Sequence, residues 1–146
     1  MDTNAYDHLF KKYAEPKGID WLLLKAQVKQ ESRFKPDSIS PVGAMGLAQF
    51  MKATWLEWQD GTPGIQAIGM VYDRKNPEHS IRAQAAYMNW LINRVKKYTN
   101  VNVEKIALAC YNYGTRPLKW LREGQTYEQF WIKLPNETKV YIARIM

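Results

Sequence analysis

Apolar residues recur along this chain at steps of three and four over most of its length, the spacing that lines one face of an α-helix. The clearest case follows Asn76, where Ile81, Ala85, Met88, Ile92 and Val95 share a stripe that Trp90 and Leu91 widen. Asn76-Pro77-Glu78 supplies the start: a capping Asn, a Pro at the first helical position and an acid in the first turn. A central core helix is therefore predicted from Asn76 to about Tyr98.

The same signals place helices from about Asn4 to Glu15, ended by Pro16 and Gly18, and from an Asp20 cap to about Phe34, before Pro36. Further helices are expected from about Leu47 to Trp58 and from an Asn102 cap to about Tyr111, before Gly114. Thr126 and Gln129 form a capping box for a short helix ending near Pro135, and Asn136 is read as the cap of a last one over Glu137 to Ile145. Pro36 to Gly46 reads as a loop. Gly61-Thr62-Pro63-Gly64 breaks the pattern, and Ile65 to Arg74 divides between a short helix and a small extended excursion, the latter placed around residues 60–75. The expected fold class is all-α, with a single domain over 1–146: an N-terminal helix and turn at 1–19, then a core at 20–145.

Composition narrows the function. With 46% apolar residues the chain can build a core, yet no stretch approaches the roughly 18 apolar residues of a transmembrane helix. The N-terminal residues lack the basic start and apolar run of a secretory signal. Cys110 is the only cysteine, and its apolar neighbours mark it as a buried structural thiol. With His8 and His79 as the only histidines a His-rich metal site is excluded, and with one Cys a structural zinc site nearly so, so no metal site is expected. The net charge of +7 favours a polyanionic partner, but it is dispersed and has no arginine-rich arm, so general anion attraction is favoured over a specific nucleic-acid site.

One carboxylate stands out. On a helical wheel Glu31 lies about 20° from Leu24, about 40° from Gln27 and about 60° from Val28 and Phe34, whereas Lys25, Lys29 and Arg33 occupy the other side. Glu31 also sits in the last turn of its helix, where the macrodipole opposes negative charge. Both effects favour the protonated form that a general acid needs. The wheel alone leaves open a helix-end Glu paired with a buried Arg or tilted to solvent. The following loop, Ser40-Pro41-Val42-Gly43-Ala44-Met45-Gly46, puts two glycines where the backbone must turn tightly or approach something closely, and lacks the Lys-Ser/Thr sequel of a phosphate loop.

The run from Glu31-Ser32-Arg33 through Ser40-Pro41-Val42-Gly43-Ala44-Met45-Gly46 to Gln49-Phe50-Met51 resembles the signature of the soluble-type lytic transglycosylases, a lysozyme-like group related to goose-type lysozymes. Three later segments are similar to motifs of that family in the same order: Asn76-Pro77-Glu78-His79-Ser80-Ile81 with Tyr87-Met88, Ala109-Cys110-Tyr111-Asn112-Tyr113-Gly114, and Glu137-Thr138-Lys139-Val140-Tyr141-Ile142. The resemblance implies a lysozyme-like fold with a substrate groove and no cofactor. It implies Glu31 as the catalytic acid and Tyr111 as a tyrosine close to the catalytic centre. Ser40, Gln49, Met51, Asn112 and Glu137 are implied as substrate contacts. Ser80 stands where the family usually has Asn and Gln84 where it usually has Gly, so a close helix contact there is expected to be looser or rearranged. Cys110 replaces a small residue, and Tyr113 replaces an Ala and adds an aromatic surface at the groove edge.

Many glycosidases use two carboxylates. Asp37, nearest in sequence, sits two residues after Pro36 and reads as a loop cap. Where goose-type lysozymes place auxiliary aspartates, this chain has Ala44 and Trp55. The resemblance therefore implies that Glu31 works alone as acid and then base on peptidoglycan, leaving 1,6-anhydro-N-acetylmuramic acid. The alternatives are a hydrolytic goose-type-like lysozyme and, from another class, a non-catalytic glycan-binding or virion component. A monomer made in the cytoplasm of a bacterial host is expected, acting on the wall in the periplasm or envelope after delivery through a holin pore or in a virion.

Overall fold

The computed structural model describes residues 3–61 and 71–146. The described residues form helices joined by loops, with two isolated antiparallel bridges, Ile39 to Met45 and Met45 to Phe50, and no sheet. The all-α expectation holds. Most of the segment expected to hold an extended excursion, residues 62–70, lies outside the described residues. The chain divides into two compact units, residues 1–87 and 88–146.

The first unit begins with α1 (Asp7–Ala14), continued by a short 3-10 turn at Glu15–Lys17, and α2 (Trp21–Ser32). Asp20 caps α2 as expected, its Oδ1 accepting from Leu22 N at 3.0 Å. Leu24, Gln27, Val28 and Ser32 form the buried side of α2. The helix stops at Ser32, earlier than the apolar pattern suggests, because Arg33 and Phe34 both take left-handed backbone conformations with φ of 53° and 61°. That geometry is costly for a bulky residue, and the burial of the Phe34 side chain offsets it.

The helix expected from Leu47 is shorter than its apolar pattern: α3 is Lys52–Trp58. Gly46 and Gln49 both have positive φ and close a turn, and Met45 and Phe50 exchange N–H···O bonds of 3.1 and 3.2 Å across it. Gly46 is required here. A Cβ on it would overlap the carbonyl oxygen of Arg74. Phe50 and Trp58 each pack on the Tyr87 ring, at centroid distances of 6.4 and 5.3 Å.

The Asn76 start is borne out in α4 (Pro77–Lys96), where Asn76 Oδ1 accepts from His79 N at 3.1 Å. Glu78 in its first turn accepts from Lys12 Nζ and the Tyr13 hydroxyl, both at 2.7 Å, which ties α1 to the start of α4. The hydrogen bonds from Lys12 and Tyr13 hold the Glu78 carboxyl below its ordinary value.

In the second unit the chain continues through α5 (Val103–Tyr113), α6 (Arg116–Arg122), α7 (Tyr127–Trp131) and α8 (Asn136–Ile145). Ile106 to Cys110 is buried throughout, so α5 is the unit's core helix. Burial pushes the Cys110 thiol up to about 12, and it is the inert structural thiol expected. The Thr126–Gln129 capping box is formed. Two expected caps are not. Asn102 precedes α5 in a left-handed conformation without a capping bond, and Asn136 lies inside the first turn of α8, whose N-cap is Pro135. Helix α6 has no side-chain cap and starts on Arg116-Pro117, a Pro-at-start signal the apolar pattern did not bring out. Trp120 covers α7 by packing on Phe130 at 5.5 Å.

Gly46→Ala should destabilise the chain by at least about 2 kcal/mol more than Gly124→Ala. Both glycines have a φ near +90°, at +87° and +88°, but a Cβ on Gly124 meets nothing within 4 Å. Chemical denaturation of the two variants checks this; equal losses would show that backbone conformation alone demands Gly46.

Candidate active site

The loop after α2 is fastened at several points, and those points decide what its polar side chains can offer. Ser38 O accepts from Gly46 N at 2.9 Å and from Gln49 Nε2 at 3.1 Å. Gln49 Nε2 also donates to Gly46 O at 2.9 Å, so both amide protons serve the loop and Oε1 remains as the atom it presents to a ligand. Ser40 Oγ accepts from Ala44 N at 3.0 Å, which leaves the hydroxyl proton to donate. Both residues are half-buried. Met51 is 44% exposed at the start of α3, a surface side chain and not core.

Two residues outside the loop lock it. Arg74 Nη1 donates to Phe50 O at 3.0 Å and Gly43 O at 3.3 Å, while its own carbonyl backs Gly46. Ser80 is fully buried on α4 and accepts from Ala48 N at 3.1 Å. Arg74 escaped the sequence reading: an isolated Arg in a loop carries no periodic signal.

Glu31 is half-buried in the last turn of α2, two residues before the paired left-handed residues that turn the chain into this loop. On the same side of α2, one turn earlier, Gln27 is fully buried. Gln84 of α4 is buried as well, and its Nε2 donates to Leu24 O at 3.1 Å and to Gln27 Oε1 at 2.9 Å. Of the two outcomes expected at Gln84, looser or rearranged, the contact is the rearranged one, filled by a side-chain amide that bonds α2 directly. Because Leu24 O can only accept, Gln84 must present its NH2 there, and this fixes Gln27 with its oxygen toward Gln84. A polar residue on an apolar helix face was the available signal for Gln27.

In the second unit Tyr111 and Asn112 are half-buried in the last turn of α5. Asn112 Oδ1 accepts from the Thr138 hydroxyl at 2.8 Å, which joins α5 to α8 and takes up the oxygen end of the amide. Glu137 is exposed in the first turn of α8. Tyr113 stacks on Trp120 at 6.4 Å and accepts from Arg116 Nη1 at 3.1 Å. No group of three or more His, Cys, Asp or Glu able to hold a metal occurs among the described residues.

The family description "Transglycosylase SLT domain" matches residues 8–131, which include Glu31, the loop and Tyr111. The chain belongs to that family. Glu137 lies beyond the matched stretch. Relatives of this SLT domain include membrane-bound lytic murein transglycosylase F of Pasteurella multocida, 39% identical over 109 residues, covering 73% of the chain and 19% of that protein. The same-named protein of Yersinia pestis is 40% identical over 112 residues, covering 75% of the chain and 20% of the relative. The chain thus spans about a fifth of the length of these relatives. Among solved structures, an inactive Glu-to-Gln mutant of the lytic transglycosylase Slt from Pseudomonas aeruginosa aligns with 97% of the chain, at TM-score 0.77, 26% identity and 23% coverage of that protein. The 70-kDa soluble lytic transglycosylase of Escherichia coli aligns over the same share, at TM-score 0.73 and 29% identity, with 23% of its own length covered.

Gln84→Leu keeps the volume and removes the amide, so it should lower stability by about 1–3 kcal/mol through the lost donor to two buried acceptors. Denaturant titration measures the loss. A variant as stable as the wild type would mean that the Gln84 amide contributes nothing to holding α2.

Proposed function

We propose that this SLT domain is a peptidoglycan lytic transglycosylase that cuts the β-1,4 bond between N-acetylmuramic acid and N-acetylglucosamine, with Glu31 as acid and then base. The observation that carries the reading is the family match over residues 8–131, within which Glu31 lies in the last turn of α2, ahead of the glycine turn. Support also comes from the relatives named as lytic transglycosylases, one of them inactivated by a single Glu-to-Gln change.

In this reading Glu31 protonates the oxygen that links the two sugars as the bond to the muramic acid anomeric carbon breaks. The substrate's own acetamido group stabilises the positive charge that develops there. Glu31, now a carboxylate, takes the proton of the sugar's 6-hydroxyl as that oxygen attacks the anomeric carbon, and the ring closes to the 1,6-anhydro product. The proton lost in the first step is recovered in the second, so no water is consumed.

The loop residues are assigned by what their atoms have left to give. Gln49 Oε1 accepts from a substrate N–H or hydroxyl, and the Ser40 hydroxyl donates. Met51 offers an exposed apolar contact. In the second unit Tyr111 is assigned to orienting the sugar, and Asn112 and Glu137 to binding glycan. No described helix is long and apolar enough to cross a membrane. Action as a monomer, with delivery to the wall through a holin pore or in a virion, belongs to the same proposal.

Glu31→Gln removes the transferable proton while keeping the shape of the side chain. Release of soluble fragments from purified peptidoglycan should fall by at least about 1,000-fold, with the circular dichroism spectrum and melting temperature close to wild type. Near-full activity in the folded variant would eliminate Glu31 as the acid.

A further inference from the structure

The positive charge is unevenly placed. Residues 88–146 hold ten Lys and Arg against four Asp and Glu, whereas residues 1–87 hold eleven against ten. Nearly all of the net +7 therefore belongs to the second unit. Within that unit the charge is gathered further. Arg116, Lys119 and Arg122 recur at steps of three along α6, and Trp90, Arg94 and Tyr98 recur at steps of four along and just past the end of α4. These two rows line one cleft of about 570 Å³.

Among the described residues, no Asp or Glu lines the cleft. The neighbouring acid is Glu123, 3.8 Å from Lys119 Nζ, in a pair whose side chains are 66% and 48% exposed. Such an exposed pair is weak, so Lys119 can exchange it for a better partner. Two guanidiniums are already positioned. Arg94 lies over the Trp90 ring at 4.9 Å, and Arg116 is held by the Tyr113 hydroxyl at 3.1 Å. Stacking occupies the face of a guanidinium and leaves its in-plane N–H fork for an oxyanion, so a ligand meets donors whose freedom is already reduced. The Tyr98 ring, 46% exposed, adds an apolar surface beside these charges.

We propose that this cleft is a second binding site, for a phosphorylated saccharide: the arginine forks hold the phosphate and Tyr98 packs against the face of the sugar. Phosphate suits four gathered cations better than a single carboxylate does, since it carries close to two charges and three acceptor oxygens. None of Glu31, Ser40, Gln49, Met51, Tyr111, Asn112 and Glu137 lines the cleft, so binding here does not depend on the catalytic reading. For an enzyme of the cell wall, such a site would retain it on phosphate-bearing glycan while the other site cuts.

Calorimetric titration of the whole chain with glucosamine 6-phosphate, at low and moderate salt, tests the site. Binding should be saturable, at least about tenfold tighter than for glucosamine or for glucuronic acid, and weaker as salt rises. The Arg94→Ala/Arg122→Ala double variant should lose at least about tenfold in affinity, and because both side chains are exposed its melting temperature should stay near wild type. Glu31→Gln should bind as the wild type does, which separates failure of this site from failure of the catalytic reading. Absent saturable binding, unchanged affinity in the double variant, or displacement of the sugar phosphate by an equal concentration of a single-stranded oligonucleotide that binds more tightly would each overturn the proposal.

Discussion

A peptide carbonyl packed against a glycine sets the local design of the first unit. The Arg74 carbonyl oxygen occupies the space where any side chain at Gly46 would begin, and the Arg74 guanidinium reaches on to the Phe50 and Gly43 carbonyls. The turn from Met45 to Phe50 can close only with the chain this near, and that turn directs both amide protons of Gln49 into the loop. Ser80 then ties the same turn to α4 through Ala48. What Gln49 and Ser40 can offer a substrate is therefore decided by the loop's internal bonding: one carbonyl oxygen and one hydroxyl proton.

The support of Glu31 follows similar logic on α2. Its helix ends abruptly because two ordinary L-residues, Arg33 and Phe34, adopt left-handed conformations, an unfavourable geometry that holds where burial of Phe34 compensates. One turn before Glu31, Gln84 bonds the helix through Leu24 and Gln27. The rearranged contact at Gln84 thus fastens the helix. Strain at one end and buried polar bonds on one face keep this carboxylate's helix in a defined place, as the role proposed for Glu31, first giving and then taking a proton, requires.

Features that depend on neighbouring residues were legible in the sequence: the Asp20 and Asn76 caps, the Thr126–Gln129 box, the buried Cys110, and the apolar stripe of α4. Features set by distant backbone were not. Residues 47–51 carry a helical apolar pattern, but the remote Arg74 carbonyl and the Met45–Phe50 pairing impose a turn. Asn102 and Asn136 have the right chemistry for caps, yet Asn102 turns its amide toward Glu128 and Pro135 takes the capping position before α8. The motifs pointed to Glu31, Ser40, Gln49 and Tyr111 as candidates, whereas of the residues that hold the loop and helix only Gln27, a polar residue on an apolar face, left a local signal, and the contacts of Arg74 and Gln84 left none. The clustering of cations along α6 also stayed hidden, because a step of three reads as scattered charge until α4 brings a second row beside it.

In the proposed reaction Glu31 alone serves as acid and then base, and the sugar's own 6-hydroxyl attacks the anomeric carbon in place of water. Mass spectrometry of the soluble fragments released by the wild-type chain from purified peptidoglycan tests that most directly. Fragments ending in 1,6-anhydro-N-acetylmuramic acid, about 18 Da lighter than their hydrated counterparts by the mass of the water not added, are the expected result. Fragments with reducing N-acetylmuramic acid ends would contradict it and assign the domain to hydrolysis.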